Sequence, residues 1–281
     1  MYGISWGAFN ALMLATYRRP PALKALYVLH GSHDLYSLDV HYMDGILHYD
    51  RYALSVGKQT TPTLSITSRT HTYIDHENAL PRTPKYELDP KWVGDRFNTT
   101  PWTQLYLNYQ VDSEFWRYHS IKYDWSNIRI PVYLIGGYYD LYTDFAPRIY
   151  EAIKNQVPKA RVFIYVTHYE TSFVTPPPPN SKIQMVIGPW DHAWPEQGSP
   201  GPNYDGKAEA VRWFMRWLND VDNSIDEEPD VTYFIRDSYP PNPNISPVPG
   251  SWRYDSWPIP SRLSVTFYLT NNQSIVEFPR T

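Results

Sequence analysis

A serine between two glycines near the start of the chain has the pattern of a catalytic nucleophile. The stretch Gly3-Ile4-Ser5-Trp6-Gly7 fits the motif G-x-S-x-G. In that motif the serine occupies a strained turn between a strand and a helix, and the glycines let the helix pass close to the strand. A hydroxyl held in such a turn can attack a carbonyl carbon. The motif alone is also compatible with a simple glycine-rich turn. The choice between the two interpretations depends on whether the sequence offers residues that would act with the serine.

A serine nucleophile needs a base, and the base needs an acid that orients it. Asp140 follows the apolar run 131–135, and His192 follows the apolar run 183–187. In a parallel sheet the loops after the strands meet at one edge, and Ser, Asp, His is a known chain order for such a triad. The spacing therefore predicts a catalytic triad of Ser5, Asp140 and His192.

Other acids and histidines leave alternatives open. Asp144 and Asp191 lie close to the predicted acid and base, and we interpret both as loop carboxylates. The sequence His30-x-x-His33-Asp34 is compatible with a metal site. Because its histidines precede the predicted acid in the chain, we interpret them as residues lining the entrance of the cap. No further cluster of ligands accompanies them, so we expect no metal and no cofactor.

The elements that must position these residues alternate between strand patterns and helix patterns. Short apolar runs are typical of buried parallel strands, and apolar residues three or four apart indicate helices. This cycle predicts an α/β fold whose functional residues lie at the carboxyl ends of the strands. The strand runs are residues 23–29, 131–135 and 183–187, and the helical patterns are residues 8–19, 144–153 and 208–218.

A long aromatic stretch between two predicted strands departs from this cycle. Within residues 34–127 we predict helices over Leu38–Leu54 and Trp102–Tyr109. An insertion of this length predicts a helical cap over the face that carries Ser5. We expect the cap to form an acyl pocket, with Tyr42, Met43 and Trp102 as lining residues.

Helical patterns stop after residue 219. Residues 231–235 and 263–269 alternate apolar with polar side chains, which predicts strands of a separate β domain beginning near Glu227. Residues 161–180 fit neither pattern. We expect that segment to be either a surface loop or a stretch foreign to the fold.

The composition argues against several other classes of function. The 281 residues carry 25 Lys and Arg against 29 Asp and Glu, a net charge of -4 without a basic cluster, which argues against a nucleic-acid partner. The absence of cysteine excludes a thiolate site. No apolar run approaches the roughly 20 residues of a membrane span. We expect a soluble protein without a membrane partner, compatible with a homo-oligomer; the compartment stays open, with the cytoplasm favoured over secretion.

Four stretches in order resemble the signatures of one hydrolase family. They are MYGISWGAFNALMLA, LHGSHDLYSLDVHYMDG, IRIPVYLIGGYYDLYTD and KIQMVIGPWDHAWP. Together with RWFMRWLND, GSWRYDSWPIP and FYLTNNQSI, they are similar to the cocaine esterase and X-prolyl dipeptidyl peptidase (CocE/NonD) superfamily of serine hydrolases. The resemblance covers nearly the whole chain except residues 161–180. It implies an α/β-hydrolase core in residues 1–33 and 128–226, a helical cap in residues 34–127 and an incomplete jelly roll in residues 227–281.

Position by position, the resemblance carries the nucleophile to Ser5, the acid to Asp140 and the base to His192. It carries one oxyanion donor to the backbone N–H of Trp6. It implies a serine hydrolase that cleaves small acyl esters, amides or peptides, X-Pro dipeptides among them, through an acyl-enzyme. The alternative is a catalytically inactive fragment or a non-catalytic binding module of the same fold, which the aromatic content of 16% would serve.

The sequence departs from the family pattern in two ways. Family members carry further strands and the second oxyanion donor before the elbow, and a full jelly roll at the end. We therefore expect an N-terminally truncated internal segment that is poorly stable and inactive by itself. Residues 141–143 also place no carboxylate directly after Asp140, so we assign no specificity for α-amino acid esters.

Overall fold

The structure is a computed structural model that describes residues 1–43, 45–48, 102–154, 183–260, 266–269 and 274–276. Its strands are β1 (Tyr2–Ile4), β2 (Leu26–Leu29), β3 (Tyr42–Met43), β4 (Ile46–Leu47), β5 (Val132–Gly137), β6 (Ile183–Gly188), β7 (Val231–Arg236), β8 (Gly250–Asp255), β9 (Tyr268–Leu269) and β10 (Ile275–Val276). Its helices are α1 (Trp6–Met13), α2 (Trp102–Leu107), α3 (Glu114–Tyr118), α4 (Phe145–Ile153) and α5 (Gly206–Asn219). A π-helical segment at Leu14–Arg18 continues α1, and short 3-10 turns lie at Ile121–Tyr123 and Ile225–Glu227.

Six strands form one sheet in the order β1-β2-β5-β6-β7-β8. The first five of these strands are parallel, and β8 runs antiparallel to β7. The predicted α/β fold with a mostly parallel sheet is confirmed. Because β1, β2, β5 and β6 are parallel, the loops that follow them leave the sheet at the same edge.

The central strands read as continuous apolar runs because both of their faces are covered. All four residues of β2 and all six residues of β5 are buried. Helix α4 contributes buried residues spaced three and four apart along one face, as an amphipathic helix must. Burying such a side chain fully contributes roughly 1.5–3 kcal/mol. The buried residues of α4 are Phe145, Ala146, Ile149, Tyr150 and Ile153. No helix in the described ranges is long and apolar enough to cross a membrane.

The cap region differs from the helix predicted over Leu38–Leu54. Its described part forms a short antiparallel hairpin of β3 and β4, and residues 49–54 lie outside the described residues. Gly45 in the turn has φ of 81°, a left-handed conformation that ends helices and favours glycine. An aromatic run without a clear period of 3.6 residues could not distinguish a hairpin from a helix. The second predicted helix, Trp102–Tyr109, corresponds to α2.

The described part of the cap packs on the helix that begins at the predicted nucleophile. Phe9 of α1 forms a buried cluster with Leu35, Val40 and Trp116. These side chains fasten the segments after β2 and around α3 to α1. A cap that covers the Ser5 face remains a prediction, because residues 49–101 lie outside the described residues.

The first strands of the predicted C-terminal domain extend the central sheet. β7 pairs in parallel with β6 through Met185 and Val231, and β8 completes the sheet beside β7. The alternation of apolar and polar residues therefore predicted strands here, but it could not predict that they join the central sheet. β9 and β10 form a separate antiparallel pair. The jelly roll in residues 227–281 stays a prediction, and residues 161–180 lie outside the described residues.

Candidate active site

Ser5 occupies a strained turn between β1 and α1. Its backbone has φ of 59° and ψ of -125°, its N–H donates to Leu29 O in β2 at 2.9 Å, and its carbonyl accepts from Phe9 N at 3.0 Å. A Cβ added at Gly3 would lie 2.6 Å from the carbonyl carbon of Gly7, so only glycine lets α1 pass this close to β1. Gly7 itself has open space where a Cβ would point. The turn thus presents Ser5 at the carboxyl end of β1.

Trp6 is the first residue of α1, directly after the serine. Backbone N–H groups in the first turn of a helix have no acceptor within that helix. The N–H of Trp6 is therefore placed next to the serine where an oxyanion donor is expected, and the dipole of α1 favours negative charge there.

Asp140 and His192 are in direct contact at the same edge of the sheet. Asp140 follows β5 and His192 follows β6, and His192 Nδ1 lies 3.0 Å from Asp140 Oδ1 in a hydrogen bond. The Asp140 side chain is fully buried, whereas the His192 side chain is 40% exposed. An imidazole held on one side by a carboxylate and open on the other can exchange protons with a bound substrate.

The environment of Asp140 keeps its carboxyl group ionised. Burial by itself would raise the pKa of Asp140, but the contacts with His192 and His30 outweigh burial and hold that pKa well below its usual range. An ionised Asp140 favours a proton on His192 Nδ1, which leaves Nε2 as the acceptor.

The two neighbouring acids, Asp144 and Asp191, bond to residues close to them in the chain. This agrees with their interpretation as loop carboxylates. Asp191 Oδ1 accepts from Ser199 N at 2.9 Å and thereby closes the loop that carries the base. Asp144 precedes α4 and pairs with Arg148 one turn later. Both carboxylates thus have partners of their own, and neither contacts His192 among the described ion pairs.

Ser5 and His192 lie at one edge of the sheet but are not joined by a hydrogen bond among the described residues. Their supporting elements meet nearby: the ring of Tyr2 in β1 stacks on Trp194, with centroids 4.8 Å apart and planes 13° apart. Catalytic hydrogen bonds are often long without substrate and shorten in the complex. The convergence of all three triad residues stays a prediction.

Comparison with known proteins places the chain in a family. The sequence matches the profile of the X-Pro dipeptidyl-peptidase (S15) family over residues 1–194. The chain belongs to this family. It is a family of serine-type hydrolases, in agreement with the resemblance to CocE/NonD proteins. A comparison with curated protein sequences gives no match.

Two solved structures show the same fold. An aminopeptidase from the marine sediment archaeon Thaumarchaeota archaeon is 16% identical, with a TM-score of 0.55 over 98% of this chain and 41% of that chain. A CocE/NonD family hydrolase from Staphylococcus aureus is 15% identical, with a TM-score of 0.54 over 98% of this chain and 37% of that chain. The S15-family chain thus spans about two fifths of the length of these structures.

His30 belongs to the site although the sequence placed it at the entrance of the cap. Its side chain is fully buried, and Nδ1 lies 2.6 Å from Asp140 Oδ2. The distance is that of a hydrogen bond, although neither atom meets the angular requirement of one. One feature of the sequence could have indicated that His30 belongs to the site, namely its position directly after a buried strand. That strand is β2, which lies between β1 and β5 in the sheet.

The metal site considered for His30, His33 and Asp34 is not formed by that set. Instead, His30 joins Asp140 and His192, and one ligand atom of each lies within 4.8 Å of the others, a grouping that could hold a metal ion. Asp34 is buried and pairs with Lys122. Burial lowers the pKa of His33 to about 4.

The predicted lining residues have different surroundings. Tyr42 packs edge-on against Tyr36, with ring centroids 5.4 Å apart. Met43 is half-buried against the main hydrophobic core. Trp102 begins α2, and its side chain lies outside the described residues. Their role in an acyl pocket stays a prediction.

Proposed function

We propose that this protein is a serine hydrolase that cleaves an acyl ester or amide bond through an acyl-enzyme. The observation that carries the proposal is the contact of His192 with Asp140 at the sheet edge that also holds the strained turn of Ser5. Membership of the S15 family supports it. No metal ligand is needed for this chemistry, because the three side chains supply nucleophile, base and acid.

Each residue of the proposed triad has one task in the reaction. Ser5 Oγ attacks the carbonyl carbon while His192 Nε2 takes its proton. Asp140 holds His192 Nδ1–H and stabilises the imidazolium that forms, and the N–H of Trp6 helps to bind the oxyanion. His192 then gives the proton to the leaving group, which departs. Water repeats the sequence on the acyl-enzyme and releases the acid.

We propose small acyl esters, amides or peptides as the substrates, with X-Pro dipeptidyl bonds suggested by the family description. Hydrolysis of a short-chain aryl ester compared with that of an Xaa-Pro anilide measures the choice between esterase and peptidase. A protein selective for X-Pro bonds should cleave the Xaa-Pro anilide and leave an otherwise identical Xaa-Ala anilide largely intact.

A fluorophosphonate probe tests the nucleophile directly, because the serine oxygen forms a bond to phosphorus as fluoride leaves. In the full-length protein the probe should label Ser5, and Ser5→Ala should abolish both labelling and turnover. Ser126→Ala is the matched control: this serine is exposed and bonded to Asp124 Oδ1, so labelling should be unchanged. A folded wild-type protein that stays unlabelled would instead favour a non-catalytic binding module.

A further inference from the structure

Two residues at the catalytic edge of the sheet have strained backbones, and they follow neighbouring strands. Ser5 follows β1 with φ of 59°, and His30 follows β2 with φ of 47°. For a residue other than glycine, a left-handed backbone costs about 1 kcal/mol or more and persists only where the surroundings hold it. The triad chemistry accounts for the strain at Ser5 and leaves the strain at His30 without a role.

The surroundings of His30 direct its ring to Asp140. The His30 N–H donates to Ile135 O in β5 at 3.1 Å, which ties this residue to the strand that leads to Asp140. Gly137, at the end of β5, leaves room for the Trp190 backbone and for the ring, because a Cβ there would lie 2.2 Å from Trp190 O and 3.1 Å from His30 Cε1. The contact of 2.6 Å between His30 Nδ1 and Asp140 Oδ2 follows from this placement.

The distance also indicates which ring nitrogen of His30 carries the proton. Two acceptor lone pairs would repel each other at 2.6 Å, so a hydrogen on Nδ1 fits this contact, although the contact does not meet the angular requirement of a hydrogen bond. Nε2 is buried and has no acceptor among the described residues. A second proton on Nε2 would therefore be an unpaired buried donor. The short contact thus favours the tautomer of His30 with N–H at Nδ1.

We propose that His30 is a positioning residue of the hydrolase, which holds the second oxygen of Asp140 so that the first stays on His192. This inference rests on the proposed function. Asp140 Oδ1 receives the N–H of His192 at 3.0 Å, and Oδ2 faces His30. A fully buried carboxylate with one unoccupied oxygen could rotate or take up a proton. With His192 bonded to one oxygen and the His30 ring against the other, Asp140 keeps one orientation toward the base.

The separations distinguish this role from a metal site built of the same side chains. Zinc ligands at 2.0–2.1 Å in a tetrahedral site stand about 3.3 Å apart. The two contacts of Asp140 are shorter, at 2.6 Å to His30 and 3.0 Å to His192. The His192 contact is a hydrogen bond and the His30 contact has the length of one, so both separations fit direct contact between imidazole and carboxylate.

Two variants at position 30 separate loss of the donor from loss of the backbone conformation. His30→Asn keeps an N–H near the place of Nδ1, whereas His30→Gly removes the side chain; both residue types tolerate a left-handed backbone. In the full-length protein we expect His30→Gly to lower kcat about 10- to 100-fold with KM unchanged, as expected for a lost hydrogen bond to a charged group. His30→Asn and added imidazole should each recover part of this loss. His119→Gln, a change at the residue that follows α3, is the matched control and should equal wild type.

The outcomes separate the inference from the proposed function. Equal kcat in His30→Gly and wild type would overturn the positioning role and leave the triad in place. A wild-type protein that does not react with fluorophosphonate would overturn both. If His30→Gly fails to fold, the imidazole nitrogen NMR spectrum of the wild type decides: a His30 proton at Nδ1 supports the role, and one at Nε2 overturns it. Zinc inhibition that requires His30 would overturn it in favour of a metal site.

Discussion

The buried Asp140 and the half-buried Glu209 have pKa values that are shifted in opposite directions. Burial tends to raise the pKa of both groups. At the sheet edge, the contacts of Asp140 with two imidazoles outweigh burial and hold its pKa well below the usual range. On the sheet face, burial prevails and the pKa of Glu209 is raised, although Arg212 favours its charge, and Glu228 adds repulsion. The edge thus holds an acid whose pKa is lowered, whereas the face holds one whose pKa is raised.

The surroundings of Glu209 explain this difference. A tyrosine cluster of Tyr27, Tyr133 and Tyr204 joins the sheet to the start of α5. The Tyr27 hydroxyl donates to Gly206 O at 2.8 Å, and the Tyr133 hydroxyl donates to Glu209 Oε1 at 3.2 Å. Burial raises the pKa of all three tyrosines well above the usual value. These hydroxyls bond to one another and to α5, while the catalytic edge leaves the ring of His192 open to solvent.

The largest expected effect is a loss of activity at the catalytic edge with little loss of stability. Asp140→Asn removes the charge that orients His192 and favours the wrong tautomer, so kcat should fall about 10⁴-fold. The melting temperature should change by only a few degrees, since the amide keeps the volume of the side chain. Enzyme kinetics and thermal unfolding measure the two quantities in the same preparation. Asp144→Asn is the matched control, and a comparable loss of kcat in that variant would contradict the assignment of the acid.

A smaller effect concerns His33, whose side chain is buried. Burial lowers its pKa to about 4, against raising contributions from Asp144 and Asp34 and further lowering by Arg148 and Lys122. Between pH 6.5 and 4 the unfolded chain binds a proton that the folded protein does not. The free energy of unfolding should therefore fall as the pH drops through this window, by up to about 3 kcal/mol.

Urea unfolding at pH 7 and at pH 4.5 measures this loss, and His33→Gln should remove most of it. A His33→Gln protein that keeps the full difference between the two pH values would show that other groups carry it. Such a result would set His33 apart from His192, whose ring contacts the Asp140 carboxylate and is 40% exposed to solvent.

The smallest effect tests the sheet face. Tyr27→Phe removes the hydroxyl that donates to Gly206 O, and this should lower the free energy of unfolding by about 1 kcal/mol. The kcat per folded molecule should stay within twofold of wild type, because the hydroxyl has no part in the proposed reaction. Tyr118→Phe, at an exposed tyrosine, should leave stability unchanged. A large loss of kcat in Tyr27→Phe would show that the tyrosine cluster affects catalysis and would contradict the separation of the sheet face from the catalytic edge.

The sequence predicted those parts of the molecule that depend on local pattern. Continuous apolar runs marked β5 and β6, so Asp140 and His192 could be placed after them. The role of His30 could not be predicted, because its partner Asp140 is far away in sequence and the adjacency of β2 and β5 is a property of the sheet. For the same reason, alternation identified β7 without showing that it pairs with β6. The hairpin at Tyr42 lacked any period that would distinguish it from a helix.

The hydrogen bond from Ser5 N to Leu29 O has a consequence for the order of assembly. The turn of the nucleophile is completed by contacts within the span from β1 to β2, so it closes only a short loop. The contact of His192 with Asp140 and the stack of Trp194 on Tyr2 need much longer loops, which close more slowly. We therefore expect the serine turn to form early in folding, at a stage when the Ser5 hydroxyl has no base beside it and is no more reactive than that of any other serine. Its reactivity would then appear only when the distant base arrives, which protects the unfinished chain from reactions of its own nucleophile.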